Sequence, residues 1–430
     1  MFRSIEASLE RWRAGDRREP LVVEGVHGCG KTHTLERFAE RFFPDHVRLD
    51  LRENAAEQAV SVGQPVRIVS EIGRLTGTEV TERTLIVLDS LERAPAVMDN
   101  VRRLAASGLC AGVACACARV GTVPGSVSMH PMSFNEFLVA CGEESLAESL
   151  SDPFSETVAS SHGRLLSLMR EYWAVGGLPG AVSAWLSTGD SRMVDQEISR
   201  VLDSIREDAM LSVPGIAGTL WSVMTSVPEQ LSGRNRKFMF SRAVPGARSK
   251  TLFESIRWLE SCGAVHRLRI AEDVDPADDG DSIPPSFKLY AFDTGALRVL
   301  AGIPLEMLLS EQRAAAVPAD GLAEDFALTE MVRSGIRGMY CWRSGNRAEV
   351  AFVIGSGEHR VPMQLNIGRM AFTRSIAEFR RRHPSEKGLY LSPLAPDLEA
   401  DPVRIPIYAA GHLCDILPEA STASSMGQQD

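Results

Sequence analysis

Eight residues near the start of the chain have the types and the spacing to hold a row of phosphates. Residues 25–32 read Gly-Val-His-Gly-Cys-Gly-Lys-Thr and fit the pattern G-x-x-x-x-G-K-[ST]. Glycines allow backbone N–H groups to point inward at phosphate oxygens, the lysine reaches the terminal phosphates, and the last hydroxyl ligates Mg²⁺. The candidate phosphate-binding residues are Gly25, Val26, His27, Gly28, Cys29, Gly30, Lys31 and Thr32.

The segments on either side of residues 25–32 suit this chemistry. Residues 20–24, Pro-Leu-Val-Val-Glu, are a short apolar run that predicts a buried strand, and residues 34–42 carry apolar side chains at helical spacing. A loop between a strand and a helix places the positive end of the helix dipole at a bound anion. A chance glycine turn is the alternative, but this context favours a nucleoside triphosphate site.

A second group suited to metal chemistry is the carboxylate of Asp89. Residues 84–89 read Thr-Leu-Ile-Val-Leu-Asp, a run of four apolar residues that ends in an acid. This is the Walker B pattern, in which the Asp holds Mg²⁺ directly or through water. An ordinary parallel strand with an exposed Asp at its end is the alternative. Because a phosphate loop precedes it, Thr32 and Asp89 are the candidate Mg²⁺ ligands.

Length and composition set limits on the class of protein. The 430 residues are enough for roughly two to four domains. A hydrophobic content of 44% and a charged content of 24% are ordinary for a globular protein. The net charge of −10 argues against a surface that coats nucleic acid, although a local basic patch stays open. No apolar run is long enough for a membrane span and no secretory signal is evident, so we expect a cytoplasmic protein without a membrane partner.

The eight cysteines point to the same compartment. They lie at residues 29, 110, 115, 117, 141, 262, 341 and 414, and none forms a C-x-x-C pair. Zinc ribbons and thioredoxin-type chemistry are therefore not indicated. We expect reduced thiols, several of which act as small buried hydrophobic residues.

The pattern of elements predicts an α/β fold divided into several regions. Residues 1–138 alternate strand and helix, with strands at 20–25, 46–51, 84–89 and 110–117, as a parallel sheet requires. The regions that follow are a helical lid region at 139–211, a winged-helix-like domain at 212–302, an α/β domain at 303–415 and a disordered tail at 416–430.

The predicted winged-helix-like domain has features for and against DNA contact. It combines helices near 215–226, 235–242 and 249–262 with two strands at 264–270 and 286–292. The basic segments 234–237 and 242–250 could contact a phosphate backbone. The acidic loop 273–285 opposes this, and a solvated basic face that packs against its neighbours is the alternative.

Several segments in order give the chain a family resemblance. They are the loop at 25–32, Leu-Asp-Ser-Leu-Glu-Arg-Ala-Pro at 88–95, His-Pro-Met-Ser-Phe-Asn-Glu-Phe-Leu at 130–138, the stretch at 172–179 that ends in Gly-Gly-Leu-Pro, and Phe-Lys-Leu-Tyr-Ala-Phe-Asp-Thr-Gly at 287–295. With these segments the chain resembles the bacterial and archaeal AAA-type ATPases that carry a C-terminal domain related to PD-(D/E)xK nucleases. The similarity covers nearly the whole chain.

The resemblance implies a fold and a set of ligands. It implies an AAA-type P-loop domain, a helical and winged-helix middle, and a nuclease-like α/β domain at the C-terminal end. It also implies ATP as the nucleotide, Mg²⁺ as its metal, and a helical lid that shifts with nucleotide state and alters contacts with a partner. DNA or a protein is the candidate partner, through the winged-helix and C-terminal domains, and the protein could form an oligomer.

The chain departs from the family at the residue after the Walker B Asp. Family members have Glu there, whereas this chain has Ser90. A serine hydroxyl orients water but does not accept its proton at neutral pH. Glu92 lies two residues further, a displacement of several Å along an extended chain. We expect nucleotide binding with slow hydrolysis.

The C-terminal domain departs further from the family pattern. The family's Glu-Val-Asp-Phe is here Glu-Val-Ala-Phe with Ala351, and its Glu-Val-Lys is here Gln364-Leu-Asn366. Because Mg²⁺ prefers charged oxygen donors, these losses predict that the nuclease metal site is gone. Glu324 and Glu349 remain, either as a weak leftover site or as a solvated pair. We expect no nuclease activity.

Two smaller features have plain alternatives. Arg119 follows the strand at 110–117 and could sense the terminal phosphate, or it is a surface arginine. The basic run at 379–383 could contact nucleic acid, or it is a charged helix end.

The sequence leaves two functions open. One is an ATP-binding protein that acts as a slow ATPase or nucleotide-dependent switch, and the other is a scaffold that binds ATP without hydrolysing it.

Overall fold

The computed structural model describes residues 3–118, 125–233, 235–247, 249–272, 286–310, 319–345, 348–355, 359–365, 367 and 373–416. These residues form two compact units. The first unit is residues 3–131 together with 261–263, and the second unit is residues 132–260 together with 264–416. The predicted boundary at 138 lies seven residues from the observed one. The predicted divisions at 211 and 302 both fall inside the second unit.

The first unit is built on a parallel sheet. Its strands are β1 (Leu21–Glu24), β2 (Asp45–Asp50), β3 (Thr84–Asp89), β4 (Gly112–Cys117) and β5 (Val127–Ser128). Within the described residues the sheet has five strands in the order β2-β3-β4-β1-β5, and every pair is parallel. This mixed α/β arrangement is typical of a P-loop domain. The predicted α/β class and parallel sheet are confirmed.

Helices cover the sheet of the first unit. They are α1 (Glu6–Ala14), α2 (Lys31–Phe42), α3 (Asn54–Ser61), α4 (Pro65–Thr76) and α5 (Met98–Ala106), with short 3₁₀ helices at Leu91–Arg93 and Pro95–Val97. Helix α4 begins with proline and ends at Gly77, whose φ of 70° closes the helix in the left-handed conformation. Ile86 and Leu88 of β3 lie in one apolar cluster with Ile68 and Ile72 of α4. Each such buried side chain contributes about 1.5–3 kcal/mol to stability.

The second unit contains a larger, mixed sheet. Its strands are β6 (Val265–Ala271), β7 (Phe287–Ala291), β8 (Tyr340–Ser344), β9 (Ala348–Ile354), β10 (Val361–Leu365), β11 (Leu389–Ser392) and β12 (Val403–Pro406). Among the described residues the order is β12-β11-β10-β9-β8-β6-β7. Strands β8, β9 and β10 pair antiparallel, and β10, β11 and β12 pair parallel.

The second unit is also rich in helices, as the sequence predicts for residues 139–211. They are α6 (Phe134–Ala140), α7 (Glu144–Ser149), α8 (Glu156–Ser160), α9 (His162–Val175), α10 (Pro179–Thr188), α11 (Ser191–Ser212), α12 (Ala217–Ser232), α13 (Phe240–Ala243), α14 (Ser249–Ser261), α15 (Thr294–Leu300), α16 (Leu305–Leu309), α17 (Ala319–Arg333), α18 (Thr373–Arg382) and α19 (Leu413–Ile416), with a 3₁₀ helix at Ile407–His412. No described helix combines the length and the apolar character needed to cross a membrane.

The pairing of β6 places the predicted two-stranded wing at the edge of a larger sheet. Strands β6 and β7 do form an antiparallel pair, as expected for 264–270 and 286–292. However, β6 also pairs in parallel with β8, through Ile270 with Cys341 and Ala271 with Trp342. The pair is therefore the edge of the seven-stranded sheet, and strands on both sides of residue 302 share one sheet. The acidic loop 273–285 lies outside the described residues.

Two of the segments that carry the family resemblance meet at a buried carboxylate. Asp293 is fully buried, and it accepts hydrogen bonds from the Gly177 N–H at 2.6 Å and from the Ala296 N–H at 3.0 Å. Gly176 has a φ of 81°, and a Cβ there would lie 2.3 Å from the Asp293 side chain. The Gly-Gly-Leu-Pro and Phe-Asp-Thr-Gly segments therefore have a structural role in this unit.

A third segment that carries the family resemblance, residues 130–138, contains the N-terminal cap of helix α6. The Ser133 side chain accepts a hydrogen bond from the Glu136 N–H, and the Glu136 carboxylate accepts one from the Ser133 N–H. This reciprocal capping box satisfies two N–H groups that the start of a helix leaves without partners. The Phe134 N–H donates to the carboxylate of Glu330 in α17, at 3.2 Å. The Pro-Met-Ser-Phe-Asn-Glu-Phe motif thus joins the helical part of the unit to α17.

Candidate phosphate-binding site

The backbone of residues 25–30 has the conformation that the glycines predict. The loop leaves β1 at Glu24 and enters α2 at Lys31. Gly28 has a φ of 75° and Gly30 a φ of 98°, which is the left-handed region that favours glycine. A Cβ on Gly25 would lie 2.0 Å from the carbonyl oxygen of Met129. All three glycines are therefore demanded by the path of the chain.

The start of helix α2 is left open to an anion. Gly30 precedes the helix and offers no side-chain acceptor, and the first turn carries no acidic residue. The partial positive charge at the helix N-terminus is therefore not neutralised from within the helix. Val26 and Cys29 are buried, so their side chains do not face solvent. Their contribution to a ligand is through the backbone, as is that of the glycines.

Lys31 holds its ammonium group inside the loop. The side chain is 8% exposed, and Nζ donates hydrogen bonds to the carbonyl oxygens of Gly25 at 2.8 Å and Val26 at 2.9 Å. An ammonium group has three N–H donors. The remaining contact is with the Cys29 Sγ at 4.0 Å, a weak acceptor that a phosphate oxygen can replace. The charge is therefore positioned before any ligand arrives.

Arg3 ties the loop to the rest of the first unit. Its guanidinium donates to the carbonyl oxygens of Cys29 and His130, both at 2.6 Å. The side chain is buried. Sequence reasoning missed this residue, because it precedes the loop by more than twenty residues and belongs to no motif. Its position indicates that it holds the loop in shape.

The structure brings the two predicted metal ligands together. The Thr32 hydroxyl donates to the Asp89 Oδ2 at 2.9 Å. Asp89 ends β3 and Thr32 lies in the first turn of α2, so the contact joins the sheet to the loop. A hydroxyl and a carboxylate are hard oxygen donors of the kind that Mg²⁺ takes alongside water and phosphate oxygens. Thr32 and Asp89 therefore fit a Mg²⁺ ion that is shared with a bound triphosphate.

A third residue, Arg48 of β2, also contacts Asp89. Its guanidinium NH2 lies 3.0 Å from the same Oδ2 atom, and NH1 lies 3.2 Å from the Glu36 Oε1 of α2. Arg48 alternates with the buried Val47 and Leu49, which turns its side chain to the other face of the strand. That alternation is the only sequence signal for Arg48, and it does not reveal the contact with Asp89.

Ser90 occupies the position where the family has a glutamate, and its backbone is strained. Its φ of 60° and ψ of 42° are left-handed, which costs an ordinary residue roughly 1–2 kcal/mol. Its N–H donates to the Asp89 Oδ1 at 2.9 Å. Its side chain is hydrogen-bonded to Asp50. Ser90 therefore fixes the orientation of the Asp89 carboxylate.

The nearby carboxylates are engaged in other contacts. Glu92 Oε2 accepts a hydrogen bond from the Ala118 N–H at 2.8 Å. Burial acts to raise the pKa of Asp50, but the hydrogen bonds from Arg52 outweigh it and leave this pKa below its usual value. A carboxylate with a lowered pKa is a weak proton acceptor. Neither group has the properties of an efficient general base. Arg119, the other predicted residue of this region, lies outside the described residues.

In the second unit, Glu324 and Glu349 are linked by an internal cation. Lys288 is fully buried on β7, and its Nζ lies 2.6 Å from the Glu324 Oε1 and 2.8 Å from the Glu349 Oε1. The Tyr290 hydroxyl donates to the same Glu324 oxygen at 2.6 Å. The expected solvated pair is thus corrected for Glu324, which is 1% exposed. Arg236 completes its ion pairs.

In this arrangement both carboxylates are paired with cations of the chain itself. Burial acts to raise the pKa of Glu324, but Lys288 and Arg236 hold it at about 2. Arg343 pairs with the other oxygen of Glu349, with Nε at 3.0 Å. The remaining nuclease-like positions do not help, since Gln364 uses its Oε1 to accept from the Ala351 N–H at 3.1 Å and Asn366 lies outside the described residues. No group of three or more His, Cys, Asp or Glu side chains suited to a metal occurs among the described residues.

The basic segments that could meet nucleic acid are partly neutralised by ion pairs. Arg236, from the predicted DNA-contacting segment 234–237, is bound to Glu324. In α18, Arg381 and Arg382 both pair with Glu378, and Arg380 pairs with Asp401 at 2.8 Å. Arg234 lies outside the described residues. These contacts weaken the case for nucleic acid at the described parts of both segments, and a DNA partner stays a prediction.

Comparison with known proteins gives a partial match to one family model. A model described as a domain of unknown function (DUF8612) matches residues 166–306, which is less than half of the chain. No curated protein matches the chain.

Two solved structures show limited likeness. The Walker-type ATPase PABY2304 of Pyrococcus abyssi is 13% identical, with a TM-score of 0.38, and the match covers 69% of this chain and 93% of that chain. PCH-2 of C. elegans is 11% identical, with a TM-score of 0.23, covering 47% of this chain and 67% of that chain. Likeness at this level carries no functional argument, so function has to be inferred from the site itself.

Proposed function

We propose that this chain is an ATP-binding protein of the AAA type that holds Mg²⁺-ATP at residues 25–32. The observation that carries this is the loop between β1 and α2, in which Gly28 and Gly30 are left-handed and the Lys31 ammonium is already in place. Such a loop presents backbone N–H groups, a helix N-terminus and a positive charge to one anion. Adenine as the base rests on the family resemblance alone, because the loop recognises only phosphates.

Each residue has a role in this proposal. The N–H groups of residues 25–32 and the Lys31 ammonium bind the phosphates. Thr32 and Asp89 orient Mg²⁺, which neutralises charge on the phosphates when it is bound. Ser90 orients Asp89 through the hydrogen bond at 2.9 Å. Hydrolysis would be slow, because Ser90 does not accept a proton and Glu92 is held by the Ala118 amide.

The nucleotide would serve a slow ATPase or a switch that acts on a partner. We favour a protein over DNA as that partner, since the charge of −10 and the internal ion pairs of Arg236 and α18 weaken the case for DNA. Nuclease activity is not part of the proposal, because Lys288 occupies the space between Glu324 and Glu349. The finer division at residue 211 stays a prediction.

The second candidate function is a scaffold that binds ATP without hydrolysing it. Ser90 and the engaged Glu92 favour it. Phosphate release by the purified chain separates the two candidates. Turnover above background that is lost in Asp89→Ala supports the ATPase. Tight ATP binding with turnover at the background level supports the scaffold.

The proposal itself is tested by nucleotide-dependent stabilisation. Calorimetry and thermal unfolding with ATP, ADP and GTP should show binding to the unmodified chain, with about 2.7 kcal/mol of stabilisation at a ligand concentration of about 100 times Kd. The variant Lys31→Ala should not show this stabilisation, because it lacks the positively charged side chain that binds the phosphates. Lys387→Ala is the matched control, since Lys387 is exposed in the second unit. An undiminished ATP shift in Lys31→Ala would refute the assignment.

A further inference from the structure

The guanidinium of Arg48 contacts the Asp89 carboxylate, which is a proposed ligand of Mg²⁺. Oδ2 accepts from the Thr32 hydroxyl at 2.9 Å and from the Arg48 guanidinium at 3.0 Å. The Asp89 side chain is 11% exposed, so its carboxylate is largely shielded from water. A metal that uses Oδ2 must therefore compete with a positive charge that the chain supplies itself.

Arg48 is held in place and remains reachable. NH1 lies 3.2 Å from Glu36, so the guanidinium spans from β3 to α2, next to the hydroxyl of Thr32. Its side chain is nevertheless 40% exposed, unlike that of Asp89. A guanidinium has five N–H donors in one plane, and the contacts with Asp89 and Glu36 use two of them. It is the side chain best suited to paired hydrogen bonds with phosphate oxygens.

We propose that Arg48 supplies the positive charge at the Thr32 end of the site, so that triphosphate binding does not require Mg²⁺. The inference rests on the proposed function. The guanidinium acts in two ways that reinforce each other. It weakens the attraction of Asp89 for a divalent ion, because like charges repel, and it offers its own donors to the terminal phosphates. Arg48 is thus a specificity-determining residue of the same site.

The test compares ATP affinity with excess Mg²⁺ and with EDTA, measured by calorimetry on the full chain. In the unmodified protein we expect removal of Mg²⁺ to weaken ATP binding by less than about tenfold. In Arg48→Gln, which keeps a hydrogen-bond donor for Asp89 but loses the charge, removal of Mg²⁺ should weaken binding by about 100-fold or more. Binding is the readout, so the test does not depend on turnover.

Arg52→Gln is the matched control. Arg52 lies close enough to Asp89 to interact electrostatically, but its hydrogen bonds go to Asp50. If direct contact with Asp89 is what matters, this variant should keep the Mg²⁺ independence of the unmodified protein. A loss as large as that in Arg48→Gln would mean that any nearby charge suffices, and it would overturn the assignment to Arg48.

The outcomes separate this inference from the proposed function. If the unmodified chain binds ATP with Mg²⁺ but not with EDTA, the inference fails and the proposed function stands. If it binds ATP under neither condition, the proposed function fails. Equal dependence on Mg²⁺ in Arg48→Gln and in the unmodified chain also overturns the inference. The measurement on the unmodified chain needs no variant, so a requirement for Mg²⁺ there overturns the inference even if Arg48→Gln does not fold.

Discussion

Replacing Lys288 by Met removes a buried positive charge and leaves an apolar side chain of similar length. In the native protein Lys288 Nζ lies 2.6 Å from the Glu324 Oε1 and 2.8 Å from the Glu349 Oε1. Breaking a buried ion pair by removing one partner costs about 3–5 kcal/mol, because the other charge stays buried. Lys288→Met should therefore destabilise the second unit by about this amount.

The electrostatics of Glu324 support that magnitude. Its pKa falls from 4.5 to about 2 although burial opposes this, with Lys288 as the largest of the groups that lower it. At about 1.4 kcal/mol for each pH unit, a difference of this size corresponds to about 3 kcal/mol. Arg236 keeps part of the effect in the variant. The loss should therefore be a few kcal/mol.

The pH dependence gives a sharper test than the size of the loss. A carboxyl whose pKa is lowered on folding stabilises the native state above its unfolded pKa, near 4.5, and loses this stabilisation as the pH falls toward 2. Lys288→Met raises the pKa of Glu324, so protonation at a higher pH than in the native protein relieves the buried charge. The difference in unfolding free energy between the two proteins should thus be largest at pH 7 and shrink toward pH 4.

Hydrogen exchange of the amides of β7 and β9 is the suitable assay, because it reports stability within the second unit alone. Lys387→Met, at an exposed lysine, controls for loss of a charge. Adding Glu324→Gln to Lys288→Met should recover at least about 1 kcal/mol, since the unpaired charge is then removed. Unchanged exchange in Lys288→Met, or a difference that stays constant from pH 7 to pH 4, would refute this account of the buried charges.

Two further predictions concern the first unit. Arg3→Met removes the hydrogen bonds from the guanidinium to Cys29 of the loop and to His130 beside it. The looser loop should bind ATP about tenfold more weakly by calorimetry, whereas Arg18→Met, at an exposed arginine, should not weaken binding. If Arg3→Met and the unmodified chain bind ATP with equal affinity, Arg3 does not shape the loop. Ser90→Glu places a carboxylate after Asp89 and should raise the rate of phosphate release at least about tenfold, with Ser90→Ala as the control. No gain in a folded, ATP-binding Ser90→Glu would mean that a missing base is not what limits turnover.

Local patterns predicted the part of the site that depends on neighbours in sequence. The loop at 25–32 and the strand that ends in Asp89 were recognisable because a phosphate loop needs a strand, glycines and a helix in immediate succession. The meeting of Thr32 with Asp89 followed from the parallel sheet, which places the carboxyl ends of its strands at one edge. The apolar runs placed β1 to β4 within two residues of their observed bounds, but they did not indicate β5.

Contacts between segments that are distant along the chain could not be predicted from the sequence. The pattern of residues 264–270 indicates a strand, but an alternating pattern does not name the strand's partners, and β6 pairs with β8 about seventy residues later. Lys288 would be expected on a surface, because lysine is almost never fully buried without a partner. Its partner Glu324 lies 36 residues away on another element. The contact of Arg48 with Asp89 could not be predicted for the same reason, since only the fold brings the two residues together.

Asp89 and the pair Glu324 and Glu349 each contact a side-chain cation, but the two cations differ in exposure. Lys288 is fully buried and pairs with Glu324 and Glu349, so we expect its charge to stabilise the fold. Arg48 pairs with Asp89 while 40% of its side chain faces solvent, so its charge is available to a ligand that reaches the loop. A cation placed beside a Gly-rich loop attracts phosphate, whereas one enclosed by carboxylates excludes metal. If Arg48 acts as proposed, EDTA should therefore leave ATP binding at residues 25–32 largely unchanged, and it should not alter the stability that Lys288 gives to the second unit.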